Sequence, residues 1–204
     1  MKSLFSLLLG VFMLCAPAFA QEDSPDALIK KVTDDVLTIV RQDKDIQSGN
    51  TKKAIALVEA KVLPHFNFLH MTALAVGRDW REATPEQKKQ LAEEFKTLLV
   101  RTYSNALTGY KDQTSRYKPT KMQNGDTDVL VRTEIVQSGS KPIALDYSVE
   151  KLPEGWKVYD VVVAGVSLVS NYRDTFAQEI RANKIDGLIK MLATKNKQNE
   201  ASKT

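Results

Sequence analysis

The stretch VVVAGVSLVSNYRDTF, residues 161–176, sets Ser167 close behind Gly165 at the end of an apolar run. A serine nucleophile needs a strained elbow, a histidine and an oriented acid. The context here is G-V-S-L-V, and Val169 stands where the second glycine of G-x-S-x-G belongs. Ser167 also falls where strand alternation gives way to helical spacing, so it reads as an N-cap whose oxygen accepts a first-turn N–H. Two aspartates are the remaining candidates for acid–base work. Asp160 interrupts an otherwise apolar strand pattern and Asp146 lies on the strand before it. A curved sheet with a helical lid can bury such a carboxylate and raise its pKa for use as a general base. Both can equally serve in ion pairs with Arg132 or a nearby lysine. Alternation groups Asp160 with Trp156, Val158 and Val162, a mostly apolar face, which makes it the stronger candidate. His65 and His70 are five apart, off the i,i+4 spacing that brings two imidazoles together on a helix. No metal site is expected from them. The chain has neither G-x-x-x-x-G-K-[ST] nor G-x-G-x-x-G, so no nucleotide cofactor is expected.

The elements that would carry these residues read as helices, then strands, then helices, an α+β pattern. Ser24-Pro25-Asp26 starts a helix, and Leu28, Val32, Val36, Ile39 and Val40 give it one apolar face. Ala54, Ile55, Val58 and Val62 line a second helix, and an apolar segment follows from Phe66 to Leu74. Thr84-Pro85-Glu86-Gln87 is the strongest helix start, with a capping box and proline at the first helical position. That helix is expected to run to about Gly109. From Tyr117 the period becomes two. Asn124-Gly125, Ser138-Gly139-Ser140 and Pro153-Glu154-Gly155 punctuate a four-stranded antiparallel meander with one apolar and one mixed face. Helical spacing returns after Gly165 and a last helix begins near Asn183. The polar stretch 196–204 is expected to be disordered.

The first twenty residues form an export signal: Lys2, an apolar run from Leu4 to Leu14, and Ala18-Phe19-Ala20 as an A-x-A cleavage site. Residues 21–195 are then one domain, with a helical lobe from 26–80 and 167–195 and the long helix and sheet in 84–164. The single cysteine, Cys15, leaves with the signal, so the exported chain must fold on its apolar core without disulfides. No N-x-[ST] sequon is present, and the bacterial periplasm fits these features. The 29 Lys and Arg, less Lys2, against 25 Asp and Glu leave a mildly basic chain. Export argues against a nucleic-acid partner, and the charge suits anionic lipid headgroups or acidic protein surfaces.

Several short pieces together resemble the MlaC family, also called the toluene-tolerance family. They are Gly77-Arg78-Asp79-Trp80, Ala83-Thr84-Pro85-Glu86-Gln87, the long helix with Phe95 and Tyr103, and Tyr159-Asp160. Gly165-Val166-Ser167 and Lys184-Ile185-Asp186-Gly187-Leu188 complete the set. The resemblance spans about Ala27 to Leu192. It implies a curved sheet packed by helices, like nuclear transport factor 2, with an added helical lobe. It also implies a cavity that takes the acyl chains of a glycerophospholipid as cargo while the headgroup stays near the mouth, with no cofactor. The implied partners are an outer-membrane lipoprotein–porin complex and an inner-membrane ABC transporter complex with its substrate-binding subunit. The implied role is to keep outer-membrane lipid asymmetric, through carriage and not catalysis. On this reading the walls are expected to be Val131, Thr133, Ile135, Leu145, Tyr147 and Val149 from the sheet. Phe95, Leu98, Leu99, Tyr103 and Leu107 would face them from the long helix, with Val163, Val166 and Val169 at the hinge. Val166 is the sharpest of these, since glutamate there would place a charge in the pocket at a cost of several kcal/mol. An enzyme using Asp160 as base and an adaptor that binds only protein remain the competing readings.

Overall fold

A computed structural model describes residues 24–110 and 112–201. The expected export signal and cleavage site lie outside them. The chain is an α+β fold with a curved, fully antiparallel sheet of strand order β1-β2-β3-β4-β5.

Helix α1 (Pro25–Gln42) begins where Ser24 Oγ accepts the Ala27 N–H at 3.1 Å. The short α2 (Lys44–Gln47) and α3 (Thr51–Lys61) follow, and a 3₁₀ turn at Leu63–His65 leads into α4 (Phe68–Val76). A second 3₁₀ turn, Gly77–Arg81, precedes α5 (Pro85–Tyr103). The capping box of α5 is complete: Gln87 N–H donates to Thr84 Oγ1 at 3.2 Å, and Thr84 N–H donates to Gln87 Oε1 at 3.0 Å. The α-helix stops at Tyr103, and the remaining turns expected to reach Gly109 are 3₁₀ (Ser104–Gly109).

The sheet comprises β1 (Thr114–Tyr117), β2 (Asp128–Val136), β3 (Ile143–Leu152), β4 (Gly155–Val163) and β5 (Val166–Ser167). The fifth strand, absent from the expected meander, is a two-residue return of β4. Ala164 (φ 50°) and Gly165 (φ 86°) both adopt positive φ between paired Val163 and Val166, the requirement of a tight two-residue hairpin. Asn124-Gly125 does turn the chain, but inside the longer connection between β1 and β2.

One irregularity in β4 changes the reading of Asp160. The β3–β4 register shifts between Ser148 and Val149: Ser148 opposes Asp160 whereas Val149 opposes Val158, leaving Tyr159 as an extra residue. A bulge of this kind reverses alternation beyond it. Trp156 and Val158 therefore share a face with Val161 and Val163, and Asp160 lies on the opposite face.

Helix α6 (Leu168–Ala201) breaks at Lys184, whose φ of 63° is non-helical. This is where the sequence places the start of a last helix near Asn183. Gly187 permits the break, since a Cβ there would lie 2.1 Å from Asn183 Cβ. The helix continues to Ala201, into the stretch from 196 expected to be disordered. Asn196 is buried, and its amide donates to Glu94 O at 2.9 Å and Glu94 Oε2 at 2.7 Å.

The buried residues form three clusters. Helices α4, α5 and α6 share one, with Leu91, Phe95, Leu98, Phe176 and Leu188 at its centre. A second joins the sheet to Ile29 of α1 through Val129, Val131, Val149, Trp156, Val158 and Val161. A third packs α1 against α2, α3 and Tyr110. The long helix α5 thus belongs chiefly with α4 and α6, while α1 covers the sheet.

Candidate functional site

Between the second and third clusters the apolar surfaces do not close. A cavity of about 660 Å³ is bounded by Leu28, Ile29, Val32, Val36 and Leu37 of α1, by Val62 and Phe66, and by Leu107 and Tyr110 after α5. Its floor is the inner face of the sheet: Ile135, Ile143, Leu145, Tyr147, Val158, Val161, Val163 and Val166. A smaller space of about 230 Å³ adjoins it, between Val58, Leu63, Phe68, Met71, Leu99, Val100 and Ser104. The two share walls at Val36, Val62, Phe66, Tyr103, Leu107, Val161 and Leu168. A separate groove of about 750 Å³ follows α6 around its break, but Glu179, Asp186, Lys190 and Lys195 line it and give it a charged wall.

The polar residues of the main cavity gather largely at one end. Gln113 Nε2 donates to Gln137 Oε1 at 3.3 Å, and Ser140 and exposed Lys141 stand beside them on the β2–β3 turn. Arg41 braces two of the lining residues by donating to the Tyr110 hydroxyl at 3.0 Å and to Gln113 O at 2.9 Å, while the Tyr110 hydroxyl also donates to Gln113 O. The rim carries apolar side chains that water can reach: Val166 is 58% exposed, Ile143 49% and Tyr103 38%.

Nothing in the walls carries charge deep inside. Burial lowers the pKa of His65, helped by the Lys157 and Lys31 charges, so its imidazole is neutral at neutral pH. Burial pushes the Tyr147 phenol up to about 12. Tyr147 keeps accessible surface because it faces the cavity. Such a space, apolar along most of its wall with polar groups mainly at one end, suits a long hydrocarbon with a polar terminus.

Of the wall residues expected from the sequence, Leu99, Tyr103, Leu107, Ile135, Leu145, Tyr147, Val163 and Val166 line the two spaces. The other six do not. Phe95 and Leu98 lie on the opposite side of α5, where Phe95 meets the rings of Tyr172 and Phe176 edge-on at 5.1 and 5.2 Å. Val169 joins the same cluster from the first turn of α6. Val131, Thr133 and Val149 face the correct side of the sheet but are covered; Thr133 Oγ1 donates to Leu145 O at 3.0 Å. The expectation for Val166 also changes: glutamate at this exposed rim position keeps its water, and the burial penalty falls instead on Val161, 8% exposed beneath both spaces. The α1 wall and Phe66 were not anticipated. The signal was present, since the apolar face of α1 needs something to cover.

The catalytic candidates are occupied with structure. Asp160 Oδ1 accepts the N–H of Val161 at 2.8 Å and of Val169 at 3.2 Å, and Oδ2 accepts the Ser167 hydroxyl at 2.6 Å. Ser167 Oγ in turn accepts the Ser170 N–H at 3.0 Å, the N-cap bond expected of it. The pair ties the end of β4 to the start of α6. His70 lies on the other face of the sheet from the cavity, with Nδ1 2.9 Å from Glu150 Oε1 and its ring stacked on Tyr159 at 4.4 Å. Among the described residues no group of three His, Cys, Asp or Glu is placed to hold a metal, and no helix is long and apolar enough to cross a membrane.

Comparison with known proteins places this geometry in context. A family model described as "MlaC protein" matches residues 30–194. The chain is 27% identical over 192 residues, covering 92% of it and 88% of the relative, to the intermembrane phospholipid transport system binding protein MlaC of Haemophilus influenzae. It is 32% identical over 103 residues, 50% of this chain and 47% of the relative, to the toluene tolerance protein ttg2D of Pseudomonas putida. Among solved structures, a phospholipid-binding protein of Ralstonia solanacearum in complex with a phospholipid superposes with a TM-score of 0.80 at 42% identity, covering 86% of this chain and 98% of that one.

Proposed function

The chain belongs to the MlaC protein family, and on that premise we propose that it is a periplasmic phospholipid carrier. The acyl chains of a glycerophospholipid occupy the apolar cavity as cargo, and the headgroup sits at the polar end by Gln137, Ser140 and Lys141. The observation that carries this reading is the 660 Å³ apolar cavity with its polar groups at one end. The phospholipid held by the Ralstonia relative supports it. The energetics require a container. Each methylene transferred from water is worth about 0.8 kcal/mol, so two ordinary chains represent on the order of 20 kcal/mol of hydrocarbon that free diffusion would expose.

The carrier takes lipid between an outer-membrane lipoprotein–porin complex and the substrate-binding subunit of an inner-membrane ABC transporter, and so maintains outer-membrane lipid asymmetry. It needs no cofactor and performs no chemistry on its cargo. Asp160 supports this against the enzyme reading, because it lines neither space and its oxygens hold Val161, Ser167 and Val169 in place, whereas a general base must reach its substrate. The test is extraction of the mature protein, purified from bacterial periplasm, into organic solvent followed by lipid mass spectrometry. Near-stoichiometric glycerophospholipid is expected. A clean extract would overturn the carrier reading and favour an adaptor.

A further inference from the structure

The turn between β2 and β3 gathers hydrogen-bond donors in a cavity that is apolar along most of its wall. Ser140 N–H donates to Gln137 O at 3.2 Å and Gly139 adopts a φ of 76°, which sets Gln137, Ser140 and Lys141 on one short bend. All three line the larger space. A primary amide has one acceptor oxygen and two N–H donors. The Gln137 oxygen is engaged by Gln113 Nε2 at 3.3 Å, so the side chain is left with its donors. Among the described residues that nitrogen, the Ser140 hydroxyl and the Lys141 ammonium have no partner. No aspartate or glutamate lines the cavity. This end therefore presents donors and one positive charge, with no carboxylate to oppose them. Arg41 is not part of the wall, and its guanidinium is engaged by the Tyr110 hydroxyl and Gln113 O.

We propose that the Gln137 amide, with Ser140 and Lys141, binds the phosphodiester of the cargo lipid. This rests on the carrier reading and names the part of the headgroup that is recognised. A phosphodiester is anionic and accepts hydrogen bonds without donating any, which complements a donor set free of carboxylates. An ethanolamine ammonium finds no carboxylate on this wall, so the alcohol beyond the phosphate is not read. Arg41 is a positioning residue at one remove: it holds Gln113 O, and the Gln113 amide in turn orients Gln137.

The experiment equilibrates the purified mature protein with two detergent-solubilised lipids in equal amounts. They are 1-palmitoyl-2-oleoyl phosphatidylglycerol and 1-palmitoyl-2-oleoylglycerol, which share their chains and differ in the phosphate and its alcohol. Phosphatidylethanolamine with the same chains replaces phosphatidylglycerol in a second series, and mass spectrometry reads the bound ratio. Wild type should enrich both phospholipids over the neutral lipid. Gln137→Glu keeps an oxygen for Gln113 and exchanges the donor nitrogen for a second oxygen. It should cut the enrichment about ten-fold, the low end for losing a hydrogen bond to a charged group. The factor should be the same for both phospholipids, and binding of the neutral lipid should not change. Arg41→Met should give a smaller loss of the same kind. Excess inorganic phosphate should leave the phospholipid in place, because the chains supply most of the affinity. Full enrichment in Gln137→Glu, equal loss of phospholipid and neutral lipid, loss of one phospholipid only, or displacement by inorganic phosphate would overturn the proposal while leaving the carrier reading intact. Failure of the wild-type protein to bind any of the three lipids would instead overturn the carrier reading.

Discussion

Val161 and Val166 form a matched pair for testing whether the cavity is an apolar medium. Both line it, but Val161 is 8% exposed on the floor and Val166 is 58% exposed at the rim. Glutamate at Val161 meets no lysine or arginine among the buried wall residues, and burial disfavours the charged form of His65. Burial of that kind raises a carboxyl pKa by about three units or more from its unfolded value near 4.3. The folded protein then holds a proton that the unfolded chain has released, so stability falls as pH rises from the unfolded towards the folded pKa. At about 1.36 kcal/mol per unit the loss reaches about 4 kcal/mol near pH 7.5, a large share of a typical domain's stability. Below pH 4 that penalty is absent and only the altered packing remains. Val166→Glu keeps its charge in water and should lose less than about 1 kcal/mol, with little pH dependence. Denaturant unfolding of wild type and both variants between pH 4 and 8 measures the differences directly. A pH-independent deficit in Val161→Glu, or equal slopes for the two variants, would refute the description of the floor as a low-dielectric surface.

Three further outcomes follow from named contacts. Asp160→Asn should lower stability by about 1.5–3 kcal/mol, the range for hydrogen bonds to a charged group, and leave bound lipid unchanged; loss of lipid without loss of stability would give Asp160 a role beyond tying β4 to α6. Gly187→Ala should lower Tm by several degrees because its Cβ meets Asn183 Cβ at 2.1 Å, whereas Lys184→Gly should raise stability by about 1 kcal/mol by relieving a backbone conformation that favours glycine; a neutral Gly187→Ala would contradict the geometry of the break in α6. In an absorbance titration of tyrosinate, Tyr147, Tyr159 and Tyr172, each pushed up to about 12 chiefly by burial, should stay protonated at pH 11 while circular dichroism reports a folded chain. Their contribution to stability is complete below the unfolded value near 10 and is lost between there and 12. Titration of all six tyrosines near pH 10 in the folded protein would contradict that burial.

The order of elements was legible because its signals are local. Caps at Ser24 and Thr84, alternation along β2 and β3, and glycine turns each act within a few residues. The orientation of β4 was not, because the bulge at Tyr159 leaves no mark that separates it from continued alternation, and one extra residue exchanges the faces of Asp160 and Val161. The site was half legible for a related reason. Helix α5 is apolar on two sides, and helical spacing does not distinguish Phe95, which packs against α6, from Tyr103, which reaches the cavity. Val131 and Ile135 alternate in phase on one strand and face the same way. Only the position of α1 decides that the first is covered and the second borders open space. A void is a property of facing surfaces, and a single strand or helix carries information about only one of them.

The most direct test of the central claim is site-specific photocrosslinking in cells. A photoreactive amino acid is placed at Leu107 or Val161 in the cavity wall, and at Leu69, which is 54% exposed and lies outside both spaces, with phospholipid radiolabelled in its acyl chains. Label transferred to the protein from Leu107 and Val161 but not from Leu69 is the predicted result. Equal labelling at all three positions, or none at Leu107 and Val161, would contradict an acyl-chain cavity at this place in the fold.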